Sequence, residues 1–112
     1  MKSNLQEEIM QLQILEQNLQ NILIQKQNFQ IQLNETENAL KELEKTKDQV
    51  YKIIGTIMIA SDKIELKKEL KEKQEIINIR IKNIEKQEKL IKDKSSELQE
   101  KVMKGIKNDR KN

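Results

Sequence analysis

A seven-residue apolar repeat runs through both halves of this 112-residue chain, and no proline interrupts it. In the first half two rows of seven positions carry the repeat, and ten of the fourteen residues are apolar. The rows are Leu5, Leu12, Leu19, Lys26, Leu33, Leu40 and Lys47, and Glu8, Leu15, Ile22, Phe29, Thr36, Leu43 and Val50. Because this spacing places the side chains on one side of a helix, it predicts a left-handed coiled coil with a partner helix.

The second half carries the same repeat less strictly, with one fully apolar row and a neighbouring row that is one-third apolar. The first row is Leu70, Ile77, Ile84, Ile91 and Leu98, and the second is Lys67, Gln74, Ile81, Glu88, Ser95 and Val102. Asp62 is expected to cap the start of this helix, with Glu65 reaching back as in a capping box. Gly105 is expected to end or fray it.

The two halves have nearly equal lengths about Gly55, which indicates that they pair with each other. In an antiparallel hairpin of helices, the numbers of facing residues would add up to roughly 110, twice the number of Gly55. This sum brings the apolar rows together, as in the pairs Leu12 with Leu98, Leu19 with Ile91, Phe29 with Ile81, and Leu40 with Leu70. The sequence therefore predicts an antiparallel coiled coil within one chain.

Residues 50–61, VYKIIGTIMIAS, break the helical pattern with a dense run of β-branched and apolar residues. They predict a β-hairpin that turns at Ile54–Gly55–Thr56, where Gly55 can take a positive φ. One face is expected to comprise Val50, Ile54, Met58 and Ala60, and the other Tyr51, Ile53, Ile57 and Ile59, with the register left open. A lone hairpin of this kind would expose apolar faces and open edges, so hairpins of several chains are expected to join. A continuous helix is the alternative, which the β-branched residues disfavour.

These elements predict one domain over residues 1–112, with a helix at 1–49, a β-hairpin at 50–61, a helix at 62–108 and a basic tail at 109–112. The fold class is mainly α: a long antiparallel two-helix coiled coil with a single β-hairpin at its closed end. Since 35% of the residues are apolar and 2% aromatic, a compact globular core is not expected. Disorder, the alternative for so polar a chain, is disfavoured by the regular apolar spacing.

Residue types that carry catalysis are scarce in this sequence. It has no histidine or cysteine, and its two glycines are too far apart for a phosphate-binding loop. The acidic residues are interspersed with lysines, so Glu85 and Glu88 are better explained as ion-pair partners on a helix surface. We expect no enzyme, no metal site and no cofactor. The start of the chain lacks a signal-peptide core, and a soluble, cytoplasmic protein is expected.

The order of the elements and several segments resemble the β-class subunit of prefoldin. The most specific segment is VYKIIGTIMI at 50–59, with QKQNFQIQLNETENALKELEK at 25–45 before it and ELKKELKEKQE at 65–75 and IEKQEKLI at 84–91 after it. One hairpin instead of two distinguishes β-class from α-class subunits. An archaeal-type β subunit fits first and a eukaryotic one second. The stretch KTKDQVYK at 45–52 lacks a longer acidic linker, so the first helix is expected to run further toward the hairpin.

The resemblance implies a subunit of an ATP-independent molecular co-chaperone. Two α-class and four β-class subunits would form a hexamer whose hairpins build an intersubunit β-barrel platform. The tips of the coiled coils would hold unfolded client polypeptides and deliver them to a group II chaperonin. The residues expected in the platform are Val50, Tyr51, Ile53, Ile54, Gly55, Ile57, Met58 and Ile59.

Near both termini the apolar residues exceed what one seam requires, which suggests a client-binding surface. The candidates are Leu5, Ile9, Met10, Ile14, Val102, Met103 and Ile106, several of which could instead complete the seam. Methionine suits contacts with varied partners because its side chain repacks easily. The basic residues Lys101, Lys104, Lys107, Arg110 and Lys111 are expected to contact the chaperonin, with a solvated tail as the alternative.

Two other functions compete with a chaperone subunit. A structural coiled-coil tether accounts for the helices but leaves the apolar hairpin unexplained. An RNA-binding coiled-coil arm would use the basic second half. Interspersed glutamates and the near absence of aromatic residues for base stacking disfavour it.

Overall fold

The computed structural model describes residues 2–111 and the side chains of residues 4–108. It contains helix α1 (Lys2–Lys45), strands β1 (Val50–Ile54) and β2 (Ile57–Ser61), and helix α2 (Lys63–Lys111). The predicted combination of two long helices and one antiparallel hairpin is confirmed. Over the described residues, neither helix carries an apolar stretch that could cross a bilayer. The chain divides into two compact units, residues 2–26 with 83–111, and residues 27–82.

In the first unit, the residues of the predicted seam rows are shielded from solvent. Every seam position of α1 from Leu5 to Ile22 is at least half-buried, and Ile84 and Val102 of α2 are buried. Leu5 contacts Gly105, so the numbers of these facing residues add up to the predicted 110. Ser95 occupies a seam position. Its hydroxyl is buried and has no hydrogen-bond partner among the described residues. A small side chain at this position keeps the helices close at the expense of an unsatisfied polar group.

In the second unit, the seam is more deeply buried. Leu43, Ile77 and Ile81 belong to its core, and the Arg80 guanidinium lies 5.8 Å from the centre of the Phe29 ring. Thr36 is buried at a seam position, and its hydroxyl donates a 2.8 Å hydrogen bond to the Gln32 carbonyl. The polar seam residue is therefore satisfied within its own helix.

An ion pair replaces an apolar layer in the first unit. Lys26 Nζ lies 3.1 Å from Glu88 Oε1, and Lys92 Nζ lies 2.8 Å from Glu88 Oε2. The Glu88 side chain is 12% exposed, so its charge is largely removed from water. The hydrogen bond from Lys92, followed by that from Lys26, lowers the pKa of Glu88 against the opposing effect of burial. The less apolar row of α2 thus still faces α1.

The helix ends differ from the predictions in two places. α1 ends at Lys45, so it does not extend to residue 49. Thr46 closes it, because its amide and hydroxyl both donate to the Glu42 carbonyl and satisfy a terminal acceptor. Gly105 does not end α2, which continues to Lys111 and includes most of the predicted tail. A glycine in a helix interior weakens the helix without stopping it.

Asp62 caps α2 as predicted. Its carboxylate accepts a 3.3 Å hydrogen bond from the Ile64 amide, and its carbonyl accepts one from the Leu66 amide. The reciprocal bond from Glu65, which a capping box requires, is not among the hydrogen bonds of the described residues.

The hairpin register corrects the predicted faces. Ile54 pairs with Ile57 and Ile53 with Met58, so the loop has two residues, Gly55 and Thr56. Gly55 has φ of 62°, and a glycine at the first loop position is the requirement of a type II′ turn. Cross-strand partners share a face, which places Val50, Lys52, Ile54, Ile57, Ile59 and Ser61 on one side and Tyr51, Ile53, Met58 and Ala60 on the other. The sequence alone left this register open.

We expect Gly55→Ala to loosen the hairpin. The space around Gly55 is open over the described residues, so the effect arises from the positive φ, which costs a residue with a Cβ about 1–2 kcal/mol. Amide hydrogen exchange of residues 50–61 should accelerate about 5–30-fold. Thr56→Ala, in the same loop, is the control. Unchanged exchange in Gly55→Ala would contradict the turn assignment.

We expect Glu88 to make the fold sensitive to acid. Folding lowers the pKa of Glu88 from its ordinary value near 4.5. The ionised carboxylate therefore contributes fully to the stability of the fold above pH 4.5, and this contribution is lost as the pH falls through the lowered pKa. Glu88→Gln should therefore lose less stability than wild type as the pH falls below about 4.5. Urea unfolding at fixed protein concentration measures this, with Glu85→Gln as the control. Equal pH dependence in Glu88→Gln and wild type would rule out the proposed role of the pair.

Candidate functional site

The hairpin exposes an apolar surface that the rest of its unit leaves uncovered. Lys52 is the single charged residue among the ten strand residues. Ile53 is 69% exposed and Met58 65% exposed, although each is the cross-strand partner of the other. A two-stranded sheet has no second layer to cover its faces, so these side chains remain in water.

Polar contacts fix the base of the hairpin. The Gln49 side-chain amide donates 2.9 Å hydrogen bonds to the carbonyls of both Val50 and Ser61, the first and last strand residues. Lys52 Nζ lies 2.7 Å from Glu69 Oε2 of α2, which neutralises the one charge on the strands. These contacts hold the two strands together where they leave the helices. The sequence interpretation missed Gln49 and Glu69, because neither residue type signals such a contact by its spacing.

The predicted platform residues are gathered on this hairpin. Val50 is half-buried, and the other seven are exposed: Tyr51, Ile53, Ile54, Gly55, Ile57, Met58 and Ile59. Ile64, in the first turn of α2, is also strongly exposed and was not among the predicted residues. An apolar side chain outside the heptad rows was the signal that could have identified it.

The predicted client-binding residues fall into two groups. We define the terminal end as residues 4–14 of α1 and 98–108 of α2. Met10, Ile14 and Met103 are 61%, 57% and 58% exposed. Val102 is buried, and Leu5, Ile9 and Ile106 are half-buried. The structure thus presents three of the seven candidates directly to solvent.

Met103 lies in a shallow groove along one face of α2, lined by Ser96, Gln99, Glu100, Met103, Lys104 and Lys107. Met103 is the single apolar residue of this lining, and Lys104, Lys107 and Glu100 place charges of both signs beside it. Of the predicted basic contacts, Lys101, Lys104 and Lys107 are exposed. The side chains of Arg110 and Lys111 lie outside those that the structure describes.

Further exposed apolar side chains lie along the outer sides of the helices. They are Leu23, Ile24 and Ile31 of α1, and Ile76, Ile79 and Leu90 of α2. The sequence analysis did not single them out, although their positions outside the heptad rows mark them. Substitutions at these similarly exposed positions can serve as controls for substitutions in the hairpin and at the terminal end.

Comparisons with known proteins connect this geometry to one family. The family model described as prefoldin subunit matches residues 6–109. Prefoldin subunit beta of Methanothrix thermoacetophila is 36% identical over 103 residues, which cover 90% of this chain and 86% of that protein. Prefoldin subunit beta of Archaeoglobus fulgidus is 39% identical over 99 residues, covering 87% and 85%.

A solved structure agrees in fold as well as in sequence. The crystal structure of the prefoldin beta subunit from Thermococcus strain KS-1 has a TM-score of 0.84 to this chain at 35% identity, and the match covers 91% of each chain. The resemblance predicted from the hairpin segment is therefore confirmed. This chain belongs to the prefoldin subunit family of chaperone subunits and, by these relatives, to its β class.

Proposed function

We propose that this chain is one subunit of an ATP-independent holding chaperone, assembled with α-class subunits and further β-class copies in an α2β4 hexamer. The complex would hold unfolded polypeptides and deliver them to a group II chaperonin in the cytoplasm. Family membership supports the general role, and the exposed hairpin is the observation that carries the proposal. No catalytic step is required, since binding and release of apolar segments account for holding.

The hairpin supports assembly because its exposed surface is costly in water. Its apolar side chains lie on both faces, and each strand has an outer edge available for pairing. Pairing hairpins edge to edge would satisfy the outer backbone groups and cover the apolar faces, each fully buried aliphatic side chain contributing about 1.5–3 kcal/mol. The Lys52–Glu69 pair removes the one strand charge that would oppose this burial.

The terminal end supports client binding. Met10, Ile14 and Met103 offer exposed apolar side chains on the two helices, and the groove around Met103 is shallow. Flexible methionine side chains adapt to different apolar partners, as unfolded clients require. Lys101, Lys104 and Lys107 add positive charge nearby, which we assign to the contact with a chaperonin. Exposed charges of this kind raise the encounter rate more than the affinity.

The tether and RNA-arm alternatives lack a comparable observation. A tether needs the seam but gives no role to a largely apolar, exposed hairpin. An RNA-binding arm needs a basic surface, whereas lysines and glutamates form ion pairs along the described helices, as Lys67 does with Glu44. The mass of the assembled particle separates these functions from the chaperone subunit.

Assembly should depend on the hairpin. We expect the wild-type chain, mixed with an α-class prefoldin subunit, to form a particle of about six chains. A closed assembly of this kind has a defined mass and does not grow further. Ile53→Lys should prevent this particle, because a lone lysine replaces an apolar side chain in the interface. Ile76→Lys places the same residue on an exposed helix position and is the control. Light scattering after gel filtration gives the masses, and a full-sized particle with Ile53→Lys would refute the role of the hairpin.

Client holding should depend on the exposed residues of the terminal end. The triple variant Met10→Gln, Ile14→Gln and Met103→Gln should leave the particle mass unchanged and weaken holding about tenfold, the equivalent of one buried aliphatic side chain. The control is Ile24→Gln, Ile31→Gln and Ile79→Gln, whose positions are similarly exposed. Suppression of the aggregation of an unfolded test protein without nucleotide is the measurement. Equal losses in both triple variants would mean that holding has no defined site.

A further inference from the structure

Gly105 stands where the seam of α2 predicts a large apolar residue. It follows Leu98 by seven positions, and the helix continues through it. A Cβ atom built at Gly105 would lie 2.9 Å from Leu5 Cδ1 and 3.9 Å from Leu5 Cγ. The end of the Leu5 side chain therefore occupies the space beside Gly105, and it would have to shift to admit a larger residue there.

This contact lies beside the candidate client-binding residues that are not exposed. Ile9 follows Leu5 by one turn of α1, Val102 precedes Gly105 by about one turn of α2, and Ile106 is its neighbour. Val102 is 8% exposed, and Ile9 and Ile106 are half-buried.

We propose that Leu5 and Gly105 are positioning residues that form a latch on the client-binding surface. With the latch closed, the terminal end offers Met10, Ile14 and Met103. When Leu5 leaves Gly105, the helix ends separate and Ile9, Val102 and Ile106 become available to the same client. The proposal rests on the proposed holding function and adds a second, larger binding state to it.

The composition of this layer makes the latch easy to release. One leucine packs against the backbone of a glycine, so the layer buries less apolar surface than a pair of leucines would. A glycine in place of alanine raises the equilibrium constant for local unfolding of the helix about fivefold. Both effects act in the last turns, where a helix opens most readily. Opening exposes apolar side chains, and an unfolded client with apolar segments can cover them.

A disulfide across the latch tests the proposal directly. The chain contains no cysteine, so Leu5→Cys with Gly105→Cys introduces the sole thiol pair. The two positions are close enough that a small approach of the helix ends gives the spacing of about 3.8 Å between disulfide Cβ atoms. The variant is assembled with α-class subunits, and aggregation of an unfolded test protein is followed with the same sample oxidised and reduced. We expect holding to be about tenfold weaker when oxidised, as for the loss of one buried aliphatic side chain.

Controls separate the latch from the holding function itself. Each single cysteine variant, treated identically, reports disulfides between chains. If wild type holds clients and the double variant holds them equally in both redox states, the latch is overturned. If wild type fails to hold clients, the proposed function fails, and the latch is then decided by hydrogen exchange alone.

Hydrogen exchange measures the opening without any client. Leu5→Ala in the assembled complex should accelerate amide exchange over residues 99–108 about fivefold, as expected for a local loss of stability of this size. Exchange over residues 63–80 should stay unchanged. Equal exchange in Leu5→Ala and wild type over residues 99–108 overturns the latch even if clients are held.

Discussion

Burial of one apolar stripe between α1 and α2 is the interaction on which the rest of the chain depends. Neither helix is hydrophobic enough to be stable by itself in water, and tertiary packing of the stripe supplies most of the stability. Polar residues occur within this stripe, and the structure handles each differently. Thr36 bonds to its own helix, and Lys26 and Glu88 pair across the seam, whereas the Ser95 hydroxyl has no hydrogen-bond partner in the described part of the chain. The charge pair also disfavours alignments of the helices that would leave Lys26 or Glu88 in the seam without its partner.

A two-helix seam covers one side of each helix and leaves nothing to cover a third element. The hairpin consequently keeps its apolar faces in water, with Gln49 and the Lys52–Glu69 pair fixing its base. In a compact domain the same residues would be core. Here they remain exposed to solvent, and the proposed assembly with other subunits would cover them. Membership of the prefoldin subunit family agrees with this reasoning.

At the terminal end, helix packing conflicts with the client binding that we propose. A well-packed seam would bury every apolar residue, whereas a client needs some of them exposed. Met10, Ile14 and Met103 avoid the conflict because they lie off the seam. Val102 lies in it and is buried, and opening of the proposed latch between Leu5 and Gly105 would make it available to a client.

The sequence by itself determined the seam residues, the hairpin and the family. Helical period and β-branched density are local properties, so Leu43, Ile77 and Ile81 could be assigned to the core without a structure. The tertiary structure alone decided the end of α1 at Lys45, the hairpin register and the seating of Leu5 on Gly105. Gly105 predicts a helix end by its local preference, whereas α2 continues through it to Lys111. Distances between remote residues depend on how side chains of two elements fit together, which no local pattern encodes.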